Sequence, residues 1–168
     1  MTNLSKFQRE LDHLPFILEL PQGLRKRVSE LFVHVSSGKV YTKGKTLYTR
    51  GKQDKSTGAL LIKGSVEIDR GEGAPITRHA PELFGEMMLL DEHDRRTATL
   101  TIAEDSLVFQ FKWNDLMAKA RERLTVDQIL DLKYALVKYA GSRFEELEEL
   151  SEPEGGNADS KVEPDPGI

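Results

Sequence analysis

From Val33 to about Phe111 the sequence is a succession of short β-rich runs broken by glycine, and this texture constrains the fold more than any other feature. The runs are Lys39-Val40-Tyr41, Leu47-Tyr48-Thr49, Leu60-Leu61-Ile62, Val66-Glu67-Ile68, Thr97 to Ile102 and Leu107 to Phe111. Gly38, Gly44, Gly51, Gly58, Gly64, Gly71 and Gly73 fall between or beside them, where turns are expected. Strands of this length and spacing predict an all-β sandwich or barrel. A double-sheet jelly roll (a double-stranded β-helix) fits the pattern and encloses a space for a small ligand.

The flanks read as helix. Leu4, Phe7, Leu11 and Leu14 recur at spacings of three and four, and Leu24, Val28, Leu31 and Phe32 repeat the pattern beyond Pro15 and Pro21. After Phe111, Asn114 or Asp115 is expected to cap a short helix containing Leu116 and Met117. Thr125 then opens a longer one, with Asp127 in its first turn and Ile129, Leu132, Leu136, Tyr139, Phe144 and Leu147 along one side. The fold class expected is therefore mainly β with flanking helices. Residues 1–36 form a helical lead-in, 37–112 the β-roll, 113–150 the C-terminal helices and 151–168 a disordered acidic tail.

Composition narrows the class. The chain of 168 residues is 38% hydrophobic and 31% charged, which suits one domain with a modest core. It has no cysteine, which excludes disulfides and thiolate metal sites. The first residues lack an apolar h-region, and no run approaches the length of a membrane span, so a cytoplasmic protein is expected. From Glu145 onward there are nine acidic residues and one lysine, a net of −8 against a total of −4, so the preceding part is mildly basic. The tail reads as a solubilising segment or as a docking or autoinhibitory one.

Residues 84–99 carry the chemistry. Gly85 lets the backbone come close to a ligand. Met87 to Leu90 read as one or two helical turns whose first amides point back toward that glycine and form an anion site. Arg96 can return to the same point with a charge-assisted fork. In a strand Arg95 and Arg96 would face opposite ways, so only one of them can enter a pocket. Glu86 either starts the short helix or accepts a hydrogen bond from a ligand hydroxyl. Met87 and Met88 read as helix packing or recognition, and Val66 and Ile68 as core or pocket wall.

Phe84-Gly85-Glu86, the apolar turn and Arg96-Thr97-Ala98 resemble the phosphate-binding cassette of the cyclic nucleotide-binding domain family. Leu14-Pro15-Phe16 through Leu20-Pro21, Lys43 to Gly51, and Leu60 to Ile68 resemble further family motifs in the same order. The resemblance covers roughly residues 10–145 and implies a regulatory module for cAMP or cGMP. In that reading Arg96 takes the phosphate, Glu86 the ribose 2′-hydroxyl, and Thr97 does not choose between the nucleotides. Phe84, Ala98 and Ile68 complete the expected ligand-binding set with Gly85, Met87 and Met88. Ala80-Pro81-Glu82-Leu83 departs from the Gly-Asp that many members carry there.

The expected ligand is a cyclic nucleotide, with no metal or further cofactor. An unidentified protein effector would receive the signal, and pairing through the C-terminal helix would give a homodimer. A DNA-reading module is not expected, because only 24 acidic, proline- and glycine-rich residues follow Phe144 and phosphate backbones would repel them. An enzyme is not expected either. His13, His34, His79 and His93 form no His-x-His pair, and no Walker-type loop exists. A degenerate fold that acts as a ligand-free interaction scaffold is the alternative.

Overall fold

The computed structural model describes residues 3–52, 57–85 and 96–151, the side chains from 143 onward excepted. A 3-10 turn (Leu4–Phe7) and α1 (Gln8–Asp12) lead to α2 (Pro15–Leu18) and α3 (Gln22–Val35). The strands are β1 (Ser37–Tyr41), β2 (Thr46–Tyr48), β3 (Thr57–Asp69), β4 (Ile76–His79), β5 (Glu82–Phe84) and β6 (Thr99–Lys112). Two helices follow, α4 (Trp113–Arg123) and α5 (Val126–Ser151). This is the antiparallel β-roll with flanking helices that the sequence predicts.

β3 and β6 run side by side from Thr57–Lys112 to Asp69–Thr99 and form the spine of the sheet. At one half of the spine β1 pairs with β6 and β5 with β3; at the other, β2 pairs with β6 and β4 with β3. The sequence pattern breaks each long strand into two short runs, and the structure joins them. Gly64 is not a turn but an irregularity within β3, at φ +102°, where the pairing with β6 shifts. The shift changes side-chain parity. Ala59 and Leu61 face one side before it, and Val66 and Ile68 take up that side after it. Gly38 and Gly58 also lie within strands, where a β-carbon would strike the rings of Phe109 and Phe111.

Two cores result. Leu60, Ile62, Leu83, Phe109 and Phe111 turn outward to meet the helices, joined by Leu11, Phe16, Val28, Phe32, Leu132 and Leu136. Edge-to-face contacts at 4.9–5.4 Å link Phe16 to Phe32, Phe32 to Phe111 and Phe111 to Trp113. The other face of the spine lines the roll with Ala59, Leu61, Val66, Ile68, Leu100, Ile102 and Val108, and Tyr48, Phe84 and Ala98 join them from outside it.

Helix termini differ from expectation in one place. Neither Asn114 nor Asp115 caps α4: β6 passes through Lys112 straight into Trp113, which is buried against Phe111, and Asp115 sits in the first turn, where it suits the dipole. Thr125 does open α5, through reciprocal bonds. Its Oγ1 accepts from the Gln128 amide at 3.2 Å, and its own amide donates to Gln128 Oε1 at 3.0 Å. On α5, Leu132, Leu136 and Tyr139 are buried and Ile129 is partly so. Phe144 and Leu147 lie outside the described side chains, and the tail from 152 lies outside the described residues. A second stripe on the same helix is exposed: Val126, Leu130, Tyr134 and Val137.

Candidate functional site

The site forms where β3 begins, β5 ends and the chain approaches β6. Arg96 lies ahead of β6 rather than within a strand, so strand alternation is not what selects its direction. Its backbone is held instead. The Gly51 amide donates to the Arg96 carbonyl at 2.8 Å, and the Arg96 amide donates to the Lys52 carbonyl at 3.0 Å. The side chain is turned inward and only 5% exposed. Its Nη2 donates to the Thr57 carbonyl at 3.0 Å and to Thr57 Oγ1 at 2.9 Å. Its Cζ stands 3.8 Å from the centroid of the Tyr48 ring, within cation–π range. A buried charge of this kind needs such partners, because desolvation would otherwise drive it to the surface.

Gly85 lies beside this guanidinium. Its φ of +92° is a left-handed value that side-chain-bearing residues avoid. A β-carbon there would lie 2.9 Å from the Thr57 carbonyl oxygen, 3.0 Å from Gly58 Cα and 3.3 Å from Arg96 Nη1. Two residues singled out from the sequence, eleven positions apart, are thus brought together against the first residues of β3. Phe84, Ile68 and Ala98 are buried in the cluster that lines the roll, with Tyr48. Thr97 is exposed. Glu86, Met87, Met88 and the expected short helix lie outside the described residues.

Sequence reasoning missed Tyr48 and Thr57 as neighbours of the site. Tyr48 stood within a recognised motif but without a role. Thr57 carried no local signal, since its part depends on a contact with a residue 39 positions away. Among the described residues no group of three or more His, Asp or Glu side chains is placed to hold a metal ion. No described helix is long and apolar enough to cross a membrane.

Gly85 and the buried Arg96 side chain thus meet at the start of β3. A family model of the cyclic nucleotide-binding domain matches residues 38–123. The chain belongs to this family. No curated protein matches it in sequence. Among solved structures, this cyclic nucleotide-binding domain is similar to the sensor domain of the transcriptional regulator DNR from Pseudomonas aeruginosa, at 19% identity and a TM-score of 0.59, over 82% of this chain and 91% of that one. It is similar to the Thermus thermophilus catabolite activator protein at 23% identity and a TM-score of 0.59, over 83% of this chain and 60% of that one. A third likeness is to a protein described with a cyclic-GMP-dependent signalling pathway that regulates bacterial phytopathogenesis, at 19% identity and a TM-score of 0.55, over 67% and 90% of the two chains. At these identities the likenesses bear on the fold.

Proposed function

We propose that this domain is a non-enzymatic, cytoplasmic sensor that binds cAMP or cGMP and passes the signal through α5 to a partner protein. The observation that carries the reading is the meeting of Gly85 and Arg96: main chain without a side chain, and a buried guanidinium, converging on one point. Glu86, Met87 and Met88 follow directly in sequence and complete the proposed cassette, with Glu86 on the ribose 2′-hydroxyl. Thr97 and Ala98 follow Arg96, and Phe84 and Ile68 form apolar wall.

The exposed stripe on α5 supports pairing of the helix with its copy. Val126, Leu130, Tyr134 and Val137 recur at spacings of four, four and three, the rhythm of a helix–helix seam. The two copies would then form a homodimer, with the effector docking on the assembled helices.

A ligand-free scaffold is the second reading, and one observation favours it. Thr57 and Tyr48 already give Arg96 intramolecular partners, so the charge is stabilised by the protein itself. Calorimetric titration with cAMP and cGMP separates the two. The sensor reading expects binding to at least one nucleotide, and loss of about 2–5 kcal/mol of it on Arg96→Ala, which is roughly 30-fold to several thousand-fold in Kd. Failure of both nucleotides to bind at millimolar concentration refutes it.

A further inference from the structure

Resting on that reading, we infer that Glu82 and Tyr139 are positioning residues that tie ligand affinity at the Gly85 turn to the placement of α5. Glu82 opens β5, three residues before Gly85, and Tyr139 lies in the middle of α5. The Tyr139 hydroxyl is within hydrogen-bond distance of both Glu82 Oε1 and the Leu83 carbonyl, the latter at 3.3 Å. Both side chains are buried, Glu82 to 7% exposure and Tyr139 to 6%.

Apolar side chains pack beside them. Leu83, Leu136 and Ala135 are buried in the same core, and the Phe16 ring lies 6.2 Å from that of Tyr139. A well-packed apolar pair would hold a helix on a strand at least as firmly as a buried carboxylate and phenol. What the polar pair adds is direction. It is satisfied at one rotation and one height of α5 against β5, whereas apolar contacts tolerate sliding.

The strand it grips bears on the site. β5 has three residues, paired to β3 at Leu61–Glu82, Leu60–Leu83 and Ala59–Phe84. The next residues along β3 are Gly58 and Thr57, the atoms against which Gly85 and Arg96 rest. A shift of α5 therefore pulls on a strand whose far end is the anion-binding turn. By linkage the coupling is reciprocal: a ligand that fixes the turn favours one setting of α5, and a partner seated on the exposed stripe of α5 changes the affinity for the ligand by the same factor.

The test uses the full chain, isothermal titration with cAMP and cGMP, and amide hydrogen exchange across α5 with and without nucleotide. Tyr139→Phe removes the donor and keeps the ring; it should raise Kd about tenfold and diminish the ligand-induced change in exchange of α5. Glu82→Gln keeps an acceptor and should retain most of the affinity. Tyr139→Phe combined with Glu82→Leu should be no worse than the poorer single variant, the non-additivity of one shared interaction. Phe16→Leu loosens the packing of the same ring without touching its hydroxyl; it should lower Tm and leave Kd alone. The inference is overturned if Tyr139→Phe matches wild type in Kd and in the α5 response whatever its Tm, or if Phe16→Leu raises Kd equally. A wild-type protein that binds neither nucleotide defeats the sensor reading and this inference with it; binding that is lost in Arg96→Ala but unchanged in Tyr139→Phe defeats the inference alone.

Discussion

Replacing Gly85 with alanine tests the geometry of the site by adding a single methyl group and no charge. Two costs add at this position. The first is conformational: a φ of +92° is unfavourable for a residue with a β-carbon, at about 1–2 kcal/mol. The second is steric. The new methyl would sit 2.9 Å from the Thr57 carbonyl oxygen and 3.0 Å from Gly58 Cα, and both belong to the main chain of β3, which cannot swing aside as a side chain can. Crowding of this kind costs about 1–3 kcal/mol. The sum, about 2–5 kcal/mol, corresponds to a fall in Tm of roughly 5–20 °C for a domain of this size. Gly44 supplies the control, because it has nearly the same φ, +93°, with no atom within 4 Å of its would-be β-carbon. Gly44→Ala should therefore show the conformational cost alone, about 1–2 kcal/mol. Urea denaturation of both variants, with nucleotide titration of each, separates the two terms. The reasoning is refuted if Gly85→Ala is no less stable than Gly44→Ala.

Three other outcomes are expected. Gly141 lies inside α5 with open space around it, so Gly141→Ala should stabilise the chain by about 0.5–1 kcal/mol, read as a higher denaturation midpoint; a lower midpoint would contradict the placement. Leu130→Glu or Tyr134→Glu on the exposed stripe of α5 should shift the protein toward monomer in light scattering, and an unchanged mass in both would dismiss pairing through this face. Lys63 Nζ lies 2.9 Å from Glu10 Oε2, and this hydrogen bond holds the Glu10 carboxyl below its usual range. A depressed folded value makes the contact stabilising above the unfolded pKa and removes that stabilisation as pH falls through the folded one. The stability difference between wild type and Lys63→Met should therefore shrink between pH 7 and pH 3 in denaturant titrations, and a difference indifferent to acid would contradict it.

The fold was legible where periodicity is simple. Short β-rich runs divided by glycine betrayed the strands, and spacings of three and four betrayed α3 and the buried face of α5. The continuity of β3 and β6 was not legible, because a glycine such as Gly64 signals a turn locally, and only its pairing with β6 shows an irregularity within one strand. At the site, Gly85 and Arg96 could be singled out because each residue type has a distinctive use: a left-handed backbone and a planar cation. Tyr48 and Thr57 could not, since a tyrosine and a threonine in strands are ordinary until the chain closes on them. The exposed stripe of α5 was overlooked for a related reason. Its apolar residues interleave with a stronger buried set, and only the packing of the helix tells which face is covered.

The parity change around Gly64 has a consequence for how this gene can vary in length. Deleting a single residue from Lys63–Ser65 would rotate everything beyond it by half a pleat, sending Glu67 into the roll and Val66 and Ile68 into water. The exposed turn at Gly71–Gly73, by contrast, can gain or lose a residue without inverting the strands on either side. Indels in natural or laboratory variants should therefore collect at the tip of this hairpin and shun its waist.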